Sequence, residues 1–415
     1  MRIFWHLGLG RELGLIFWTL AFLEASFGAY LGIWPLWIER LGAPVSVVGL
    51  VLGSSGIVRL AVLAPSALLA ERFNRKRLIV VIRTAAVLGM LSAAVAQHWT
   101  HLFVMVVGGA IGELVFPLLQ THVATHAGER RIRAFTLIFT VGPSIALFIS
   151  PLLSGLLVAT WGLRAAFVLA ALLSTISIVC FALTKRDLPS PTGHQAELSG
   201  GYRAAFAEAA IRRVLILQGV TVFILALGTS LAPNFLESTR GLEPARIATF
   251  GAGSAIGSML FGVAVTRITS LQRNPIAAAS IPVFATSIAF AIFITQGALG
   301  WIAFAFVLRG GLFSAWALYA AALGEIAPAR YRARTFAMVE MLGGAAFSLA
   351  PIFAGRLFEV RPSLPLMVAS ILGIVLLPIL LMSQRTAHRV EARDTHSSVQ
   401  VPQTASLIVP RPDQE

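Results

Sequence analysis

Twelve apolar segments dominate the sequence, and each is long enough to cross a lipid bilayer. A helix rises about 1.5 Å per residue, so roughly 20 apolar residues span the ~30 Å hydrocarbon layer. Strands of a membrane β-barrel would be shorter and would alternate apolar with polar residues, which these segments do not do. The sequence therefore predicts an all-α integral membrane protein with twelve transmembrane helices. The predicted spans are roughly 13–38, 44–70, 77–97, 101–124, 134–159, 164–184, 213–236, 247–267, 275–296, 300–323, 335–358 and 363–383.

The composition agrees with a membrane location. Only 12% of the residues are charged, 57% are hydrophobic, and the mean hydropathy is +0.84. A soluble protein carries about twice that fraction of charged side chains, so the chain lacks the polar surface that a water-soluble fold needs. Cys180 is the only cysteine, which excludes a disulfide within the chain.

The positions of the basic residues orient the chain. Most of the 32 Lys and Arg residues fall in the termini and in alternate loops that share one side, such as the loop holding Arg75 and Lys76. Because positively charged loops stay in the cytoplasm, we expect cytoplasmic N- and C-termini and a location in the inner membrane. The net charge of +14 is then a topology signal, and we expect contact with lipid and none with nucleic acid. Glu24 interrupts the first apolar segment, which argues against a cleavable signal peptide.

An internal repeat divides the chain into two halves. Small residues recur every four positions in span five and are followed by Pro151, and span eleven repeats this pattern around Pro351, 200 residues later. Small residues at this spacing allow a second helix to approach closely. By this repeat, each span of the first half corresponds to the span six positions further on in the second half. The predicted helix-packing motif consists of Gly142, Ala146, Ser150, Pro151, Gly155, Pro351 and Gly355.

The domain boundaries follow from this repeat and from two polar stretches. Residues 185–212 contain Pro, Ser and Gly in a pattern typical of a linker, and the C-terminal residues are polar with few apolar side chains. We predict an N-terminal six-helix bundle over 1–184, a cytoplasmic linker over 185–212, a C-terminal six-helix bundle over 213–383 and a disordered cytoplasmic tail over 384–415.

The loop after span two reads A-L-L-A-E-R-F-N-R-K from Ala67 to Lys76. It resembles the loop signature of the major facilitator superfamily, G-x-L-a-D-R-x-G-R-K, and the span-five pattern G-x3-A-x3-S-P-x2-S-G resembles an antiporter signature of the same superfamily. The resemblance implies two pseudo-symmetric six-helix bundles around a central cavity and secondary active transport by alternating access. The arginine motif that drug antiporters carry in span four is absent from Gly108–Gly112, and Arg309 stands in span ten instead.

Charged residues inside the spans are the candidate transport groups, because a charge in the bilayer is costly unless it faces protein or water. We interpret Glu24 in span one and Glu113 in span four as cavity carboxylates that take up and release a proton. A structural ion pair, for Glu24 with Arg59 or Arg309, is the alternative. Other side chains are candidates for cavity charge or substrate contact, with a salt bridge or ordinary packing as their alternatives: Arg59, Arg309, Gln120, Gln218, Trp316 and Tyr319.

A second group of charges lies at the cytoplasmic ends of the spans. In the resembled fold, the loop after span two contacts span eleven and locks the outward-open state. By this resemblance we predict an inner gating motif, with interfacial anchoring as the alternative, that consists of Glu71, Arg72, Arg75, Lys76 and Glu340. Arg83 and Arg356 lie near span ends, and we expect both to extend toward the membrane surface.

The sequence contains neither a G-x4-G-K-[ST] phosphate loop nor a G-x-S-x-G nucleophile motif, and we predict no enzymatic activity, no cofactor and no metal site. The first interpretation is a monomeric transporter that moves a small organic solute in exchange for protons, exporting an amphipathic compound. Proton-linked uptake of a polar or anionic solute, such as a sugar, a carboxylate or a siderophore, is the alternative. A non-transporting receptor or scaffold is a third, remote possibility.

Overall fold

The structure is a computed structural model that describes residues 7–72, 75–116, 119, 123, 131–184, 202–269, 274–328 and 332–398. Within these residues, every regular element is a helix. A short 3-10 helix, Trp99–Leu102, precedes α5, and a π-helical turn, Leu137–Val141, joins α6 to α7. The α-helices in chain order are α1 (Arg11–Leu31), α2 (Trp34–Arg40), α3 (Val45–Arg72), α4 (Arg75–Val95), α5 (Phe103–Gly112), α6 (Arg131–Thr136), α7 (Gly142–Trp161), α8 (Arg164–Ala182), α9 (Tyr202–Ala207), α10 (Ala209–Ser230), α11 (Ala232–Ser238), α12 (Pro244–Arg267), α13 (Pro275–Ala278), α14 (Ser280–Thr295), α15 (Leu299–Arg309), α16 (Gly311–Ile326), α17 (Arg332–Val360) and α18 (Leu364–Ser398).

The helices coincide with the apolar segments of the sequence. Among the described residues, ten helical stretches are long and apolar enough to cross a membrane. Two shorter apolar helices, Val45–Arg59 and Trp99–Gly112, fall in predicted spans two and four. The prediction of an all-helical membrane protein is therefore confirmed.

Several predicted spans consist of two helices where we expected one. The break between α1 and α2 follows from Pro35, which lies in the first turn of α2 and cannot donate a backbone hydrogen bond to α1. Pro233 has the same position in α11 and separates it from α10. Span ten divides at Gly310, next to Arg309, and α5 in span four ends at Gly112, next to Glu113. These last two breaks fall beside a charged residue.

Each half of the chain has its own set of helix contacts. In the N-terminal half (residues 7–184), α1 packs against α7 and α8, and α4 packs against α5 and α8. In the C-terminal half (residues 202–398), α14 packs against α15 and α18, and α10 packs against α17 and α18. Buried apolar side chains fill these contacts, with Phe167 and Phe290 among the largest fully buried side chains.

The most extensive contacts between the halves are those of α3 with α17 and of α7 with α12. A Cβ atom on Gly355 of α17 would lie 3.0 Å from Ser46 Cα, and one on Gly155 of α7 would lie 2.0 Å from Thr249 Oγ1. A Cβ atom would therefore crowd Ser46 at the first contact and clash with Thr249 at the second. These contacts involve the beginnings of α3 and α12 and the ends of α7 and α17, so they lie at one end of the molecule, which we call the sealed end.

Two predicted boundaries differ from the structure. Helix α10 begins at Ala209, inside the predicted linker, and α9 lies just before it. Helix α18 continues to Ser398, whereas we expected disorder from residue 384. Residues 384–398 include good helix formers such as Glu391 and Ala392 and contain neither Gly nor Pro, so local propensity favours continuation of the helix. Residues 185–201 of the linker and 399–415 of the tail lie outside the described residues.

Candidate functional site: a charged cluster between the chain halves

Arg59 of α3 contacts two carboxylates at once. Its Nη1 atom lies 2.9 Å from Glu113 Oε2, and its Nη2 atom lies 3.6 Å from Glu340 Oε2. A guanidinium group presents its nitrogens in a fixed plane, so one side chain can hold two acids on different sides. Glu113 belongs to the N-terminal half and Glu340 belongs to α17 of the C-terminal half. Arg59 therefore links the halves away from the sealed end.

The three side chains of this cluster are open to solvent. Their exposed fractions are 35% for Arg59, 41% for Glu113 and 54% for Glu340. Charged groups in the middle of apolar segments need either protein partners or water. These groups have both, since they pair with one another and leave a large fraction of each side chain accessible. Part of each charged side chain therefore stays accessible where the two chain halves meet.

Glu24 of α1 is half-buried beside this cluster. Among the described residues it has no ion-pair partner within 4.0 Å, and Glu113 and Arg83 lie near enough to act on its charge. The turn after it packs closely, because a Cβ atom on Gly28 would lie 2.3 Å from Ser150 Oγ. Glu24 is thus a carboxylate without a fixed salt bridge, close to a second carboxylate.

The side chain of Arg83 is buried, which the sequence did not indicate. We expected its side chain to extend to the membrane surface, but it is buried, with 7% of its surface exposed. Its Nη2 atom donates a 2.6 Å hydrogen bond to Ser174 Oγ of α8, while its Nε atom has no hydrogen-bond partner among the residues that the structure describes. The expectation is wrong because Ser174, in the middle of span six, supplies a partner within the protein.

The depth of Arg83 matches that of Glu24. Ser177 Oγ donates to the Thr19 carbonyl at 2.6 Å, and Ser26 Oγ donates to the Ala170 carbonyl at 2.7 Å. These two bonds align α1 with α8 in opposite directions, so Ser174 lies between them, level with the turn of α1 that ends at Glu24. The guanidinium group bound to Ser174 is therefore placed near the Glu24 carboxylate.

Arg309 of α15 lies apart from the carboxylates. It is 8% exposed, and its guanidinium lies 4.8 Å from the centre of the Phe306 ring. In the described part of the chain, its Nη1 atom has no hydrogen-bond partner. Within the described residues it forms no ion pair with Glu24 or Glu113. The structure does not bring it together with the cluster around Arg59.

Three uncharged candidates form a separate group in the C-terminal half. Tyr319 is fully buried, and its hydroxyl shares a 2.7 Å hydrogen bond with Thr221 Oγ1. Gln218 is also fully buried and donates to the Val339 carbonyl at 3.2 Å. Trp316 is half-buried, and its ring would lie 2.8 Å from a Cβ atom on Gly343. In this conformation the first two serve packing between α10, α16 and α17.

The small residues of the predicted packing motif lie at helix contacts. Gly142 lies against the Phe17 ring, Ala146 and Ser150 are buried, and Pro151 lies 3.7 Å from the position of a Cβ atom on Gly251. In α17, the Pro351 carbonyl would lie 2.2 Å from a Cβ atom on Gly49. These contacts join α7 to α1 and α12, and α17 to α3.

The structure describes only part of the predicted inner gating motif. Lys76 Nζ donates to the Thr184 carbonyl and, at 2.7 Å, to the Ala182 carbonyl at the end of α8. Glu340 pairs with Arg59 in this conformation. The side chains of Glu71, Arg72 and Arg75 and the whole of Gln120 lie outside the described part of the chain. Among the described residues, no three His, Cys, Asp or Glu side chains are grouped as metal ligands would be.

The chain is a polytopic helical protein in which charged side chains of its two halves meet. Residues 16–351 match the Major Facilitator Superfamily, so the chain belongs to that family and is a transporter rather than an enzyme. No curated protein matches the sequence.

Solved structures with the same fold include three kinds of transporter. The nucleoside transporter NupG is 16% identical, with a TM-score of 0.73 over 89% of this chain and 98% of that one. A bacterial homolog of the human lysosomal transporter Spinster, inward-facing and unoccupied, is 18% identical, with a TM-score of 0.67 over 89% and 94%. The peptide transporter POT in complex with sulfate is 15% identical, with a TM-score of 0.68 over 91% and 95%. At these identities the likeness concerns the fold.

Proposed function

We propose that the protein is a secondary active transporter that moves a small organic solute by alternating access between two six-helix bundles. The contacts α3–α17 and α7–α12 support this arrangement. In the internal repeat, α3 corresponds to α12 and α7 corresponds to α17, so the two contacts are equivalent. With cytoplasmic termini, the sealed end is the outer face, and the end that carries the basic loops is the inner face. The conformation described here is then inward-facing.

We infer that protons drive transport through Glu24 and Glu113. The observation that carries this proposal is the double contact of Arg59 with Glu113 and Glu340. When Glu113 is ionised, it holds the Arg59 side chain in an ion pair within the N-terminal half. When Glu113 takes up a proton or is released by a solute, its attraction for Arg59 weakens, and Arg59 is free to strengthen its pair with Glu340 across the halves. A local charge change would thus alter the relative stability of two conformations.

Export of an amphipathic compound in exchange for protons is the first candidate, because of the span-five pattern and the apolar helices around the site. The exposed cluster of Arg59, Glu113 and Glu340 favours a second candidate, proton-linked uptake of a polar or charged solute. Both candidates use the same residues and differ in the direction of coupling.

A screen of the purified protein by thermal shift against drugs, sugars, carboxylates and siderophores would find a ligand, and flux of that ligand in proteoliposomes would test the function. The protein is oriented with its cytoplasmic face inside the liposome, and a proton gradient is directed inward. Under these conditions an exporter should move the solute out of the liposome as protons enter, and an uptake transporter should move the solute in together with protons. A ligand that binds but is never transported would contradict both candidates and support a receptor.

A further inference from the structure

Helices α2 and α11 occupy equivalent positions in the two chain halves at the sealed end. Each is seven residues long and follows a proline-induced break, and their sequences are W-P-L-W-I-E-R and A-P-N-F-L-E-S. Proline is second and glutamate is sixth in both. Glu39 of α2 therefore corresponds to Glu237 of α11, although neither belongs to the charged cluster around Arg59.

Each of these two glutamates is bound by the opposite half. Arg40 Nη2 forms an ion pair with Glu237 Oε1, and Asn234 Nδ2 donates a hydrogen bond to Glu39 Oε2. Asn234 Nδ2 also lies 3.3 Å from the Pro35 carbonyl of α2, and this side chain is 1% exposed. The contacts are reciprocal, since each helix supplies one donor and one equivalent acid.

Buried apolar side chains of both halves accompany these polar contacts. Ile33 and Leu36 of the N-terminal half share one buried cluster with Phe235 and Ile247 of the C-terminal half. Apolar contact excludes water from the interface but has little directional preference. The polar contacts have defined donors and acceptors, and they therefore fix how the two helices meet.

We propose that Glu39, Arg40, Asn234 and Glu237 form an outer latch that holds the sealed end closed and must break whenever that end opens. This proposal rests on the proposed function for the direction of opening, but the contacts themselves do not involve solute or protons. Arg40 is 58% exposed and Glu237 is 20% exposed, so water replaces part of the lost interaction on opening. We expect loss of both acids to raise the open population about threefold to tenfold.

The test measures the separation of the halves at the sealed end without any solute. In a Cys180→Ala background, spin labels at Thr160→Cys and Gln296→Cys report the distance between the end of α7 and the end of α14. Both positions are exposed and lie in different halves. Double electron–electron resonance of the full-length protein in nanodiscs gives the closed and open populations.

The double variant Glu39→Gln/Glu237→Gln should increase the long-distance population. Arg246→Gln is the matched control, since Arg246 of α12 pairs at 3.7 Å with Glu243, the residue just before α12, near the same end but inside one half. The reversed pair Arg40→Glu/Glu237→Arg should restore the closed population that Arg40→Glu alone reduces. Equal distance distributions for the double Gln variant and the Arg246 control would overturn the latch, as would a reversed pair that stays as open as Arg40→Glu.

Monodisperse gel filtration of each variant separates opening from unfolding. Failure of the latch would leave the transport proposal intact, because the measurement needs no flux. If flux were absent while the latch variants opened as expected, the proposed function would fail and the latch would stand.

Discussion

Arg59 and Glu113 form a 2.9 Å ion pair in the middle of apolar segments, and both side chains are more than one third exposed. A pair with this exposure contributes at most about 1 kcal/mol to stability. Fold stability therefore does not explain why two charges are kept at this depth. Their exposure and the third contact, with Glu340 of the opposite half, are the basis for the proposal that they take part in transport.

Replacing Arg59 should impair transport far more than stability. We expect Arg59→Gln to lower the transport rate at least about tenfold, while the free energy of unfolding changes by about 1 kcal/mol or less. Arg356→Gln is the control, because Arg356 pairs with Glu359 at 3.8 Å and is 77% exposed. Flux of the screened ligand and thermal unfolding check both parts. Normal flux in Arg59→Gln would remove the cluster from the mechanism.

Glu24→Gln should abolish proton-driven transport and leave solute binding and exchange measurable. The neutral amide keeps the size of the side chain but cannot carry a proton between the two faces. Counterflow exchange and gradient-driven flux in the same proteoliposomes distinguish the two steps. Unchanged proton-driven flux would show that Glu24 is not the coupling group.

Ser174→Ala should destabilise the fold by about 1–3 kcal/mol, because it leaves the buried Arg83 guanidinium without its hydrogen-bond partner. Ser92→Ala on α4 is the control, since the Ser92 hydroxyl donates to the Gly89 carbonyl of its own helix. Thermal unfolding in detergent compares the two. Equal midpoints would mean that Arg83 finds another partner or does not need one.

Gly49→Ala should weaken the sealed end, because its Cβ atom would lie 2.2 Å from the Pro351 carbonyl. Backbone atoms cannot move aside as a flexible side chain does, so α3 and α17 must separate. Gly109→Ala has nothing within 4 Å of its Cβ position and serves as the control. The spin-label pair at the sealed end should show a longer distance for Gly49→Ala alone, and an unchanged distance would contradict the close packing of these helices.

Substituting Arg75 and Lys76 should shift the protein further toward inward-open forms. Lys76 holds two carbonyls at the end of α8, and these residues belong to the predicted inner gating motif. Cysteine accessibility from the inner and outer faces would measure the shift. If accessibility is unchanged, the motif serves as an interfacial anchor.

Hydrophobicity located the helices because membrane spans need long apolar runs, and it also drew attention to Glu24, Glu113 and Arg59 as rare charges within those runs. It could not identify which charges meet. The contact of Arg59 with Glu340 depends on how the chain halves pack, and the sequence places these residues far apart.

The sequence does not indicate the contacts of charged residues near span ends. The position of Arg83 near a span end is typical of an interfacial arginine, and only its contact with the buried Ser174 shows that it lies within the protein. Glu39 and Arg40 look like ordinary boundary charges, and their partners Asn234 and Glu237 follow only from the repeat of α2 in α11. In both cases the decisive information is the alignment of two distant helices, which no local pattern contains.

Proton movement that depends on the solute is the central claim, and it can be measured directly. A pH-sensitive dye trapped in proteoliposomes reports proton flux when the screened ligand is added to one side. Wild-type protein should produce a pH change and Glu24→Gln should produce none, at equal amounts of reconstituted protein. Solute transport with no accompanying pH change in the wild type would contradict the central claim.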